Sequence, residues 1–190
     1  PGDPSVFDTV QFNDQSYDPA GVGITTEAWN FGDGTTASGC CPMHHYANDG
    51  DYNAKLTVTT RDGRSASTTQ VVHVKTHDVA ITKFSAPQSA SAAQTRSVSV
   101  GINSNRQAET VTVQLLKSTP SGYIVVGTLT QYVPPRSANR TTDFNFSYTF
   151  APADASIGKV TFKAVASIQN ARDALPADNE AIASPTKVTK

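Results

Sequence analysis

The stretch Trp29-Asn30-Phe31-Gly32-Asp33-Gly34 constrains the fold more than any other, together with Gly50-Asp51-Tyr52 further along the chain. A large aromatic on a short apolar run, followed at once by Gly-Asp-Gly, reads as a strand that carries one bulky side chain into a core and then turns sharply. Glycine accepts the positive φ such a turn needs, and an aspartate side chain can bond its own backbone there. After Gly50 the chain alternates strictly: Tyr52, Ala54, Leu56 and Val58 fall on one face, Asn53, Lys55 and Thr57 on the other. Such a period of two is the mark of a half-buried strand. A lone Trp on one strand and Gly-x-Tyr opening a later one predict an immunoglobulin-type sandwich with a tyrosine corner, Trp29 and Tyr52 being buried.

The rest of the first half fits around these two strands. Val6-Phe7 and Val10-Gln11-Phe12 read as two short strands, 24–31 as the Trp strand, 35–43 as a loop and 52–60 as a core strand. Arg61-Asp62-Gly63-Arg64 carries the Asp-Gly of a hairpin turn, after which 65–74 closes the sheet. Lys75-Thr76-His77 is the linker. A second alternating series then follows at 78–84, 96–102, 110–116, 123–133, 142–150, 159–168 and near 180–188. With no periodic segment of helix length between them, these strands predict a second sandwich. The expected architecture is all-β, two tandem immunoglobulin-like β-sandwich domains at 1–75 and 78–190, each long enough to bury its own core. Only 16% of the chain is charged, and Thr, Ser, Ala, Val and Asn dominate. Uncharged polar outer faces of this kind suit an extracellular or cell-surface protein.

Four stretches, in order, resemble a known family. They are Asp14-Gln15-Ser16-Tyr17-Asp18-Pro19-Ala20-Gly21, the Trp29 stretch, Pro42-Met43-His44-His45-Tyr46, and Gly50-Asp51-Tyr52 through Thr57-Val58. They are similar to the Ser-x-Asp-Pro-x-Gly, Trp-x-Phe-Gly-Asp-Gly, Pro-x-His-x-Tyr and Gly-x-Tyr motifs of the PKD domain, over residues 4–75. Cys40-Cys41 is no part of that pattern. Ala54 stands where antibody domains carry a second core cysteine, so no inter-sheet disulfide is expected. In the second half, Asp78-Val79-Ala80-Ile81, Val98-Ser99-Val100, Glu109-Thr110-Val111-Thr112-Val113 and Ala177-Asp178-Asn179-Glu180 resemble CARDB-like and fibronectin type III-like modules of bacterial surface proteins. These resemblances imply a non-catalytic module pair of a larger secreted or cell-surface bacterial protein, a spacer, adhesion or protein–protein interaction unit whose first partners are other domains of its own polypeptide. The competing reading is a carbohydrate- or fibrous-protein-binding accessory module of an extracellular hydrolase.

Charge narrows the partners. Fifteen basic against 16 acidic residues give a net charge of −1, with no basic footprint for nucleic acid. No apolar run of about 18 residues occurs, so no membrane span is expected within this stretch. A first residue other than Met suggests a processed or excised piece, and a monomer is expected. No Gly-x-Ser-x-Gly elbow, paired-carboxylate motif or phosphate-cradling loop is present, so no enzyme is expected. A polymer ligand, polysaccharide or extracellular protein, would need an exposed aromatic platform, for which Tyr17, Tyr123 and Tyr132 are the candidates. Asp14, Asp18, Asn30 and Asp33 bring oxygen donors to one end of the first sandwich. Calcium takes six to eight such oxygens, and the PKD resemblance adds that some members hold calcium near the Ser-x-Asp-Pro turn. The alternative is that Asp18 and Asp33 bond the amides of their own turns.

Cys40 and Cys41 are the only cysteines. Neighbouring Cα atoms across a trans peptide sit ~3.8 Å apart, short of the ~4.4–6.8 Å usual for a bridge. In an oxidising compartment a lone thiol pair tends to be consumed. A vicinal disulfide ring, intermolecular links and free thiols are the three outcomes, and the ring is expected.

Overall fold

The computed structural model describes residues 3–104, 106–135 and 140–190. The chain is all-β and forms two immunoglobulin-like sandwiches, with 56% of residues in strands and 5% in helix. It divides into two compact units, Pro1–Thr76 and His77–Lys190.

Unit 1 is built on one four-stranded antiparallel sheet. Its strands are β2 (Ile24–Asn30), β3 (Thr36–Ser38), β5 (Gly50–Thr60) and β6 (Ser65–Val74), in the order β3-β2-β5-β6. Facing it is a thin layer in which β1 (Val10–Gln11) pairs with β4 (Met43–His44). Trp29 lies directly opposite Leu56 across the β2–β5 ladder, and both are buried. Phe31, Tyr46, Val6 and Val74 complete that core, with Phe12 packed on it. Sequence alternation therefore does what it should: the even-numbered face of β5 carries Ala54 and Leu56 inward, while Asn53 and Lys55 face solvent.

Three local expectations change. Val6-Phe7 is a turn rather than a strand, because the Ser5 amide and hydroxyl both donate to Asp8 Oδ2 at 2.7 Å and the Asp8 amide returns to the Ser5 carbonyl. A side chain that satisfies the local amides removes the reason to pair with a neighbour. The stretch expected as a loop after Gly34 contains β3, which closes a hairpin on β2. Tyr52 does form the corner, its hydroxyl donating to the Asn48 carbonyl at 2.9 Å, but it is only half-buried. The fully buried tyrosine is Tyr46, whose hydroxyl donates to the Phe31 carbonyl at 3.1 Å.

Unit 2 contains β7 (Val79–Ser85), β8 (Ser89–Ser91), β9 (Thr95–Ser104), β10 (Glu109–Thr119), β11 (Gly122–Val133), β12 (Thr142–Thr149), β13 (Lys159–Val160), β14 (Phe162–Ile168), β15 (Glu180–Ile182) and β16 (Thr186–Thr189). They form sheets of order β11-β10-β14-β15 and β12-β9-β7, with β13-β16-β8 closing one end. Inward positions recur every second residue: Val98, Val100 and Ile102 on β9, Val111, Val113 and Leu115 on β10, Phe144 and Phe146 on β12. A six-residue helix, α1 (Pro152–Ile157), was not legible in the periodicity because it is too short to show one. Its Asp154 is 1% exposed and accepts the Ala151 amide, the Tyr148 hydroxyl at 2.7 Å and Lys117 Nζ at 2.6 Å. Burial by itself pushes this carboxyl up, and the three donors outweigh it to leave it below its usual range.

Candidate functional site

The turns at one end of unit 1 place its charged groups. Asp18 Oδ1 accepts the Ala20 amide at 3.1 Å and Oδ2 the amides of Val22 and Gly23 at 2.8 and 3.1 Å, while Arg64 Nη2 lies 3.2 Å from Oδ1. Burial would raise this carboxyl, but those amides and the guanidinium hold it below the usual carboxylate range. Asp33 Oδ1 accepts the Thr35 amide at 3.0 Å and the Thr35 hydroxyl at 2.6 Å. Asp33 Oδ2 sits 2.7 Å from His44 Nε2. Against the upward push of burial, the Thr35 bonds and then His44 bring Asp33 down to about 2. Asn30 Oδ1 takes the Gly32 amide at 2.9 Å, and Asp14 Oδ1 the Ser16 amide at 2.7 Å. The four oxygen donors considered for calcium are thus each engaged within their own turns. Among the described residues no three His, Cys, Asp or Glu side chains converge on a point that could hold a metal ion.

His44 was missed as the partner of Asp33. It is fixed by aromatic packing: its ring stacks on Phe31 at 4.1 Å with planes 2° apart, and meets the Tyr46 edge at 4.6 Å. Tyr46 in turn stacks on Tyr52 at 4.3 Å. The sequence signalled the aromatic stack, since Phe31, His44, Tyr46 and Tyr52 are, with Trp29, ring-bearing positions of the motifs quoted above, but nothing in the spacing pairs His44 with Asp33.

The two candidate tyrosines of unit 2 do not make one platform. Tyr17 is 80% exposed in unit 1, whereas Tyr123 and Tyr132, at 40% and 65%, stand near opposite ends of β11 in unit 2. At about 3.3 Å per residue the two on β11 are roughly 30 Å apart. Within unit 2 these are two separate exposed rings.

Unit 1 has instead a groove of about 670 Å³ that sequence reasoning did not find. It opens because the covering layer is narrow. Residues 10–16 cross over β2 and β5 but leave the inner face of β6 uncovered, and the chain there turns polar. Thr68 and Gln70 occupy the register positions opposite Leu56 and Ala54, where a closed sandwich would carry apolar side chains. Phe12, Trp29 and Val72 form the apolar wall, Gln11, Asn13, Gln15 and Gln70 supply four uncharged amides around it, and Asp14 and His73 also line it. The outer edge of β6 pairs with no strand among the described residues. A site with an aromatic wall, mostly neutral hydrogen-bonding groups and a free strand edge can hold an extended segment of low charge and fix its direction.

The two cysteines lie on the β3–β4 connection, where the Cys40 carbonyl accepts the amide of Asp14, a residue of the groove lining. Both are free and exposed, and Cys40 Sγ donates to Cys41 Sγ at 2.8 Å. Donation to the Cys41 sulfur and the charge on it push the Cys40 thiol up.

Known proteins resemble parts of this chain. Residues 4–76 match the PKD domain family. A 68-residue stretch is 37% identical to the microbial collagenase of Vibrio alginolyticus, covering 35% of this chain and 8% of that protein. A 70-residue stretch is 33% identical to collagenase ColA of Bacillus cereus, covering 37% of this chain and 7% of that protein. The chain therefore spans less than a tenth of the length of these relatives. Among solved structures, a carbohydrate-binding module of the β-sandwich superfamily aligns with a TM-score of 0.39 at 18% identity, over 80% of this chain and 81% of that one. Fibronectin(III)-like modules of Clostridium thermocellum CbhA align with a TM-score of 0.36 at 15% identity, over 98% of this chain and 87% of that one.

Proposed function

Since residues 4–76 are a PKD domain, we propose that this chain is a non-catalytic accessory part of a larger exported bacterial protein, and that the unit 1 groove holds an extended, uncharged stretch of a fibrous protein substrate. The groove carries this reading: aromatic wall, neutral amides and unpaired β6 edge suit a polypeptide backbone, which presents alternating N–H and C=O groups and needs no counter-charge. Support also comes from the two relatives, both named collagenases and both matched over a small fraction of their length. An accessory module that holds the polymer raises the local concentration of cleavable bonds for a tethered catalytic domain.

The test is retention of the full chain on insoluble fibrous protein, with cellulose and chitin as comparison polymers. Retention on the protein is expected, and Thr68→Arg, which fills the groove with a charged side chain, is expected to weaken it at least tenfold with little change in melting temperature. Equal retention of wild type and variant overturns the groove as the site. Retention on none of the polymers leaves the spacer role in its place.

A further inference from the structure

The connection from β3 to β4 holds its backbone and frees its side chains. Gly39, at φ 99°, donates its amide to the Glu27 carbonyl at 3.1 Å, and its own carbonyl accepts the Trp29 indole N–H at 2.9 Å. The Cys40 carbonyl accepts the Asp14 amide and the Pro42 carbonyl the Phe12 amide, each at 3.0 Å. Four hydrogen bonds thus pin the chain on both sides of the cysteine pair. Consecutive side chains in a strand point to opposite faces, but this connection bends, and Cys41 before a proline is confined to extended backbone. The outcome is two exposed thiols on the same side, sulfurs 2.8 Å apart. No third cysteine exists in the 190 residues.

We propose that Cys40 and Cys41 are a redox modification site, a vicinal dithiol that a small-molecule or protein disulfide converts reversibly into an eight-membered cyclic disulfide, and that the ring stiffens the wall of the groove at Trp29 and Asp14. Cys41, whose sulfur already accepts the Cys40 hydrogen, makes the first attack. Its thiolate displaces one RS⁻ from an external R–S–S–R and leaves Cys41 in a mixed disulfide. Cys40 then loses its proton, attacks Cys41 Sγ and expels the second RS⁻. In sum, two Cys–SH and one RSSR give the ring and two RSH; two electrons and two protons pass to the oxidant. The sulfurs must close from 2.8 Å to the ~2.05 Å of a bond. A Cα spacing of ~3.8 Å across a trans peptide lies below the usual disulfide range, so the ring is the more readily reduced and behaves as a labile couple. Coupling to the groove runs through two bonds already named, Trp29 Nε1–H to Gly39 and Asp14 N–H to Cys40.

The experiment equilibrates the full chain with oxidised and reduced glutathione over a range of ratios. Intact mass, maleimide labelling and Trp29 fluorescence are read together; Trp29 is the single tryptophan. On oxidation the monomer is expected to lose ~2 Da, to take no maleimide until reduced and two afterwards, and to shift its tryptophan emission. Cys40→Ser should accumulate a stable glutathione adduct on Cys41, and neither it nor Cys41→Ser should show the emission shift. Because both positions are exposed, the variants are expected to melt as the wild type does. Two maleimides per chain at every ratio, persistent adducts on the wild type, or a disulfide-linked dimer each overturns the site. A ring that forms without moving the Trp29 emission overturns its coupling to the groove.

Discussion

Asp33 shows how a single side chain ties the sharp turn after the Trp strand to the aromatic stack behind it. Its Oδ1 serves the Thr35 amide and hydroxyl, and its Oδ2 faces His44, whose ring is wedged between Phe31 and Tyr46. A carboxyl held at about 2 in the folded chain ionises near 3.9 when unfolded. The folded state therefore binds that proton less tightly, and its stabilisation is fully present above about pH 4 and lost as the pH falls toward about 2. Asp33→Asn should flatten the fall in melting temperature over that window, and a variant that keeps the wild-type acid slope contradicts the assignment. The same stack predicts the effect of Tyr46→Phe. Removing the hydroxyl leaves the buried Phe31 carbonyl without its donor, which costs roughly 1–3 kcal/mol. Chemical denaturation of the two proteins side by side measures it.

At the scale of elements, the turn glycines separate by what lies next to them. Gly32 has φ 86° and a Cβ placed there would meet the Asn53 amide nitrogen at 2.7 Å, whereas Gly34, at φ 94°, has open space. Both positions charge any other L-residue about 1–2 kcal/mol for the left-handed backbone, but Gly32→Ala adds a backbone collision between the turn and β5. Gly32→Ala should thus destabilise clearly more than Gly34→Ala; equal losses would show that the turn gives way. In unit 2, Asp154→Ala strips Lys117, Tyr148 and the first turn of α1 of their common acceptor at once, and breaking a buried pair in this way costs about 3–5 kcal/mol. The elements that were legible from sequence are those with a period: β5, β6 and the inward faces of β9, β10 and β12. Illegible ones depend on distant partners. Lys117 and Asp154 carry no local pattern that pairs them, and Asp8 cancels a strand at Val6-Phe7 by a bond to Ser5. The groove lay half in view, since Thr68 and Gln70 sit at core-facing positions of β6 with polar side chains, but its opening required knowing how narrow the covering layer is. Of the candidate site, the Asp33 turn could be read and its His44 partner could not, because contact between them is made by folding and not by spacing.

For the molecule as a whole, each unit encloses its own core. Residues 1–76 and 77–190, expressed separately, should each unfold in one cooperative transition; a piece without one depends on the other for its fold. Thr76 belongs wholly to the first unit, buried, accepting the Val6 amide and donating to Asp49. Cutting before it should lower the melting temperature of the first piece. The two units also differ in where their last structural strand comes from. Unit 1 ends in a hairpin, β5 followed directly by β6. Unit 2 ends with β16, whose Val188 is buried and which pairs in parallel with β8 while the Thr186 hydroxyl donates to the Pro87 carbonyl. A chain made N-terminus first can therefore close unit 1 as soon as β6 emerges, but unit 2 must wait for residues delivered at its far end. With synthesis at about 5–20 residues per second, that delay is on the order of ten seconds. Throughout it, the apolar strands from β7 to β14 lack the strand that seals one end of their sheets. The order of delivery thus makes unit 2 the half that depends on being kept apart from its neighbours while it is born.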